Sequence, residues 1–270
     1  MVQPRGSRRE FLALAAAGGT TLAFAKGAVA RERIKPPAFP SKYPPDVDSK
    51  FYADGRVHPF RGNTLVCHLA QQGPDAACFD ALLDVYRDAP AHGFTRKLAL
   101  LPPSSYHMTV FGGANDKPRL RQSWPADLPL DMPLERCTEI LKDRLEAAKI
   151  SCALPIRMRV DPIQDPQNGR PLTMDLLPFD DAETAKLATV RRAISEATKI
   201  PIVEPDTYKF HISVGYSIAW LTPDESAQLK KTFADWARHV RERAPIIPLG
   251  APEFCTFDDM YAFHRLMFLA

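Results

Sequence analysis

The sequence predicts an α+β fold of two comparable, pseudo-symmetric lobes, with mainly antiparallel strands, helices on the outer faces and a groove on the uncovered side. Three observations predict it. Segments with helical apolar spacing alternate with short segments of strand character, each half of the chain supplies both kinds, and one strand in each half carries a histidine on its polar side. At 270 residues and 45% hydrophobic positions the chain can bury a proper core. No close sequence repeat accompanies the two halves, so any duplication is one of structure.

Taken in order, residues 1–30 read as a targeting segment outside the fold. Arg8 and Arg9 precede a weakly apolar, Ala- and Gly-rich run that ends in small residues, Ala28, Val29 and Ala30. The pattern resembles a twin-arginine export leader, and the run is too short and too weakly hydrophobic for a stable membrane anchor. That resemblance implies a periplasmic or secreted protein and, as a partner, the export machinery. The leader holds Arg5, Arg8, Arg9 and Lys26 against Glu10, so the remaining chain has equal numbers of basic and acidic side chains. A surface built to neutralise the phosphates of an extended nucleic acid is therefore not expected, and any nucleotide ligand should be small or bound locally.

Residues 31–62, rich in Pro, Lys and Asp without a sustained period, read as a linker or an arm lying over the domain. The folded domain is predicted for 63–270, with lobes over about 63–150 and 151–270. In the first lobe, 64–70, 97–101 and 106–111 read as strands and 75–88 as a helix, with Phe79, Leu82, Leu83 and Tyr86 on one side. A polar loop over 112–131 leads to a helix at about 133–149. In the second, 153–160 and 172–177 are strands joined by a turn at 165–169, and 181–199 is a helix with an acidic first turn. Residues 210–216 form a strand, Thr222 and Pro223 open a helix reaching about Arg243, and 253–257 with 261–268 close a hairpin.

The chemistry lies on two of these strands. Side chains alternate between strand faces, so Ser105, His107, Thr109 and Phe111 share one face while Tyr106, Met108 and Val110 share the other. The division recurs with Lys209, His211 and Ser213 against Phe210, Ile212 and Val214. Of the seven histidines, His107 and His211 alone have a hydroxyl residue two places on. An imidazole beside an alcohol suits two groups gripping different oxygens of one phosphate. With one ring neutral and the other protonated, the pair can take a proton from an attacking hydroxyl or water and give one to a leaving oxygen. The scheme needs no cofactor or metal. Thr109 and Ser213 would donate to non-bridging oxygens, Lys209 would offset growing charge, and Phe111 would stack on a base, with Ser105 on the same substrate-binding face.

The frames around His107 (Tyr-His-Met-Thr-Val) and His211 (Phe-His-Ile-Ser-Val) resemble the paired motifs of the two-histidine (2H) phosphoesterase superfamily, which includes 2',3'-cyclic phosphodiesterases and 2',5' RNA ligase-like proteins. The resemblance covers 63–270 in layout and the two motifs in detail. It implies a bilobal fold about a pseudo-twofold axis, with the four motif residues lining a central groove, and metal-free hydrolysis of 2',3'-cyclic or other small nucleotide phosphodiesters. A non-catalytic periplasmic module holding a phosphorylated ligand, and a ligase running the same site in reverse, are the alternatives. The five cysteines have no zinc-binding spacing and read mainly as buried thiols; His68 and His264 read as structural.

Overall fold

A computed structural model describes residues 41–202 and 208–269. The expected leader and the first part of the expected arm lie outside the described residues. Nine strands form one sheet, antiparallel at every pairing, and four α-helices cover it. In chain order these are β1 (Gly62–His68), α1 (Ala77–Asp88), β2 (Leu98–Leu100), β3 (His107–Asn115), α2 (Leu134–Ala148), β4 (Ile156–Val160), β5 (Leu172–Pro178), α3 (Asp181–Thr198), β6 (Phe210–Ser217), α4 (Pro223–Arg243), β7 (Ile247–Leu249), β8 (Glu253–Phe257) and β9 (His264–Phe268). The strand order is β7-β4-β5-β6-β3-β1-β8-β9, with β2 also paired to β6. The fold is α+β, its sheet curled into a half-barrel. Among the described residues no helix is long and apolar enough to cross a membrane.

α3 and α4 begin at side-chain caps. Asp180 caps α3 through its side chain on the Glu183 amide, and Thr222 with Glu225 forms a capping box at α4 behind Pro223. Both α2 and α3 stop at a left-handed lysine, Lys149 and Lys199. α1 packs on α4 and α2 on α3, and the α2–α3 pair contacts β3. The strand face beneath is closed by Met108, Ile212 and Met174, each fully buried.

The division into lobes at residue 150 is corrected by the strand pairing. The C-terminal hairpin β8–β9 adds to β1, so the last strands of the chain extend the first half of the sheet, while β2 crosses over to β6. Phe254, with no exposed surface, then fills the core beside β1. β7, with Pro248 at its centre, had no alternation by which to be seen and is held by pairing with β4. β3 also continues through Gly112 and Gly113 into the stretch read as loop.

The described part of the arm belongs to the compact unit and precedes the expected boundary at residue 63. Phe51 is fully buried, its ring 5.1 Å from that of Tyr216, and the Phe60 amide donates to the Asp258 carbonyl. All five cysteines are free thiols; four are buried and Cys152 is half-buried.

Candidate functional site

β3 and β6 meet at the centre of the sheet, where Met108 pairs with Ile212. Continuing that antiparallel register sets His107 against Ser213 and Thr109 against His211. All four project from the face opposite the buried Met108 and Ile212. Cross-strand neighbours have Cβ atoms about 5 Å apart, so the two imidazoles and two hydroxyls form a four-cornered cluster with a local twofold through the Met108–Ile212 pair.

Each imidazole is oriented by the same backbone device. His107 Nδ1 lies 2.7 Å from the Ser105 carbonyl oxygen and His211 Nδ1 lies 3.0 Å from that of Lys209. A carbonyl only accepts, so each Nδ1 carries the hydrogen and donates it, and Nε2 of a neutral ring is left with a free lone pair.

A β-bulge follows each hydroxyl. In β3 the register runs from Val66↔Thr109 to Leu65↔Phe111, one extra residue; in β6 it runs from Thr173↔Ser213 to Leu172↔Gly215, again one extra. Alternation slips by one place beyond each bulge. Phe111 is thereby turned to the helix-covered side and is 3% exposed, which corrects its expected place on the groove face. Tyr216, which unbroken alternation would put on the side of Phe210, Ile212 and Val214, is brought round to line the groove. Ser105 is also corrected. It sits in a buried 3-10 turn before β3, its hydroxyl donating to the Pro102 carbonyl, and it serves the site through its own carbonyl. Lys209 lines a separate hollow with Asp161 and Asp175 and not the one at the cluster; what it offers His211 is likewise a carbonyl.

The hollow at the cluster measures about 180 Å³, and no carboxylate lines it among the described residues. Lys50, Asn63, Thr64, Asn115 and Tyr216 join the four motif residues there. Lys50 was missed because it comes from the arm, and Tyr216 because a bulge leaves no mark in a single sequence. A wider depression of about 810 Å³ lies elsewhere, lined by Asp54, Arg56 and Arg96. No histidine is among its lining residues, so its size does not make it the chemical centre.

The two imidazoles differ in their surroundings. The His107 ring centroid is 4.2 Å from that of Phe263 and 5.9 Å from that of His68. Burial pushes its pKa down to about 4; the Ser105 carbonyl opposes this, while the neighbouring His68 and His211 add to it. His107 is therefore neutral through the physiological range, with Nε2 ready to accept a proton.

His68, Glu253 and Cys255 place one ligand atom each within 4.8 Å of one another, which makes them the described group with the donors for a metal ion. The Glu253 carboxylate is already shared by His68 Nδ1 at 3.1 Å and Arg265 at 3.3 Å, and burial raises the Cys255 thiol to about 12. The guanidinium and the bound thiol proton both oppose a cation, so the cluster reads as an ion-pair network behind His107.

The first half of this arrangement matches a family model described as 2H-phosphodiest, a domain of unknown function (DUF1868), over residues 50–168. The matched stretch takes in Lys50, His107 and Thr109 and ends before His211. The structure is similar to the crystal structure of a conserved protein of unknown function, ATU0111, from Agrobacterium tumefaciens str. C58, with a TM-score of 0.75 and 30% sequence identity, over 84% of this chain and 94% of that one. No curated protein matches the chain.

Proposed function

We propose, since the chain belongs to the 2H-phosphodiest (DUF1868) family of the two-histidine phosphoesterase superfamily, that it is a metal-independent phosphodiesterase hydrolysing 2',3'-cyclic or other small nucleotide phosphodiesters. The observation that carries this reading is the cluster itself: two imidazoles with Nδ1 tied to carbonyls and a hydroxyl beside each, on the two strands joined through Met108 and Ile212.

In this mechanism Nε2 of neutral His107 takes the proton of the attacking water, and His211 gives its Nε2 proton to the leaving ribose oxygen. Thr109 and Ser213 donate to the non-bridging oxygens, whose charge grows as phosphorus becomes five-coordinate. A pKa near 4 keeps His107 neutral at the expense of basicity, and the bound phosphate, a negative charge close by, raises it toward the ordinary value. A hollow of about 180 Å³ supports a small substrate whose phosphate sits there. The leader would put this chemistry in the periplasm or outside the cell, on a substrate met there.

The test is turnover by the purified mature chain of a panel of 2',3'-cyclic and linear nucleotide phosphodiesters, with and without EDTA. Opening of cyclic nucleotides at an unchanged rate in the chelator is the expected result. Activity that disappears with EDTA and returns with a divalent cation sinks the metal-free scheme.

A further inference from the structure

We propose that Lys50, which reaches the groove from the segment preceding β1, is a phosphate-binding residue whose ammonium grips a non-bridging oxygen of the ester lying between His107 and His211. The inference rests on the phosphodiesterase reading of that site and adds the residue that neutralises the ligand's charge. Among the described residues lining the hollow, Lys50 is the one side chain with a permanent charge, and no acid faces it from within.

Its placement is fixed by packing. Phe51, the next residue, is fully buried and packs its ring against that of Tyr216, and the Lys50 carbonyl accepts from the His58 amide. The ammonium lies 4.8 Å from the Tyr216 ring centroid and 5.6 Å from that of Phe60, with Asp46 Oδ1 at 3.1 Å. It thus stands on the same tyrosine that the β6 bulge delivers to the groove. Burial works against the charge, yet Tyr216 and Asp46 outweigh it and raise the Lys50 pKa, so the group stays an ammonium. The plain rival is a tether in which Lys50 and Asp46 merely fasten the segment. A partly exposed ion pair adds little beside a fully buried phenylalanine, which already fastens it. A cation on a flexible stem beside two hydroxyls and two imidazoles is, by contrast, the usual equipment for a phosphate oxyanion.

The experiment compares the full-length mature protein with Lys50→Met, Lys50→Arg and Asp46→Asn, measuring thermal stability, affinity for inorganic phosphate and turnover of a 2',3'-cyclic nucleotide. Lys50→Met should keep its melting temperature within a few degrees, bind phosphate at least about tenfold more weakly and lose about a hundredfold in kcat/KM. Lys50→Arg should recover most of both, and Asp46→Asn should bind phosphate as well as wild type or better. Unchanged phosphate affinity in Lys50→Met, or an equal loss in Asp46→Asn, overturns the proposal in favour of the tether. If Lys50→Met does not fold, a phosphate affinity at least about tenfold weaker in folded Asp46→Asn than in wild type overturns it equally. Phosphate binding that depends on Lys50 in a protein with no turnover leaves this inference standing and removes the phosphodiesterase reading instead.

Discussion

The two sides of the groove use one plan in two environments. On β3 and on β6 alike, a histidine donates Nδ1–H to the carbonyl two residues back, a hydroxyl follows two places on, and a bulge follows that. Yet the β3 side closes over its imidazole with Phe263 and the His68–Glu253 pair, and beyond its bulge come Gly112 and Gly113. Beyond the β6 bulge comes Tyr216, backed by Phe51 and by Lys50. The backbone therefore repeats while the lining does not. Near-symmetric strands alone would give two interchangeable imidazoles; unlike neighbours give His107 a surrounding of its own and hold it neutral.

The strongest way to break this comparison is to remove each ring. His107→Ala and His211→Ala should each lower kcat/KM by about a thousandfold, the range of a lost proton-transfer group. His107→Ala should also erase the acidic limb of the pH profile, whereas His211→Ala should leave that limb in place. Loss of the same limb in both variants would show that the two sides are equivalent after all.

A smaller effect concerns stability. His107 titrates near 6.5 in the unfolded chain and near 4 when folded, so between those values the unfolded chain holds the extra proton. Stability should accordingly fall as pH drops from 6.5 toward 4, by up to about 3 kcal/mol from this residue. Urea unfolding of wild type and His107→Asn at pH 7 and pH 4 checks the sign: the variant should lose less than wild type.

The smallest effect separates the two glycines of β3. A Cβ on Gly113 would lie 2.4 Å from the Asn63 carbonyl oxygen, whereas one on Gly112 meets nothing within 4 Å. Gly113→Ala should cost about 1–3 kcal/mol and lower the melting temperature by several degrees, with Gly112→Ala close to neutral. Calorimetry showing equal losses would mean that β3 does not approach β1 as closely as described.

Much of this was legible in one dimension. The helices announced themselves by apolar spacing and by their first turns, as at the acidic start of α3 and at Thr222, and the paired His-x-Thr and His-x-Ser frames stood out because strand alternation has a strict period of two. Phe111 fails for the same reason that His107 succeeds. The period holds only until an extra residue enters the strand, and whether it enters is decided by what β1 offers across the ladder. Ser105 and Lys209 were read as side chains on a continuing strand, when what each brings to its histidine is a main-chain oxygen that no residue type reveals.

The amino-acid order alone determined most of the strand and helix segments, the α+β class and the two His-x-Thr/Ser pairs, because each is written in local periodicity. Tertiary structure alone decided that the last hairpin joins the first strand, that Tyr216 and Lys50 enter the groove, and that His107 is driven to about 4. These depend on surfaces that touch only after folding, where burial and distance, not neighbourhood along the chain, set the energies.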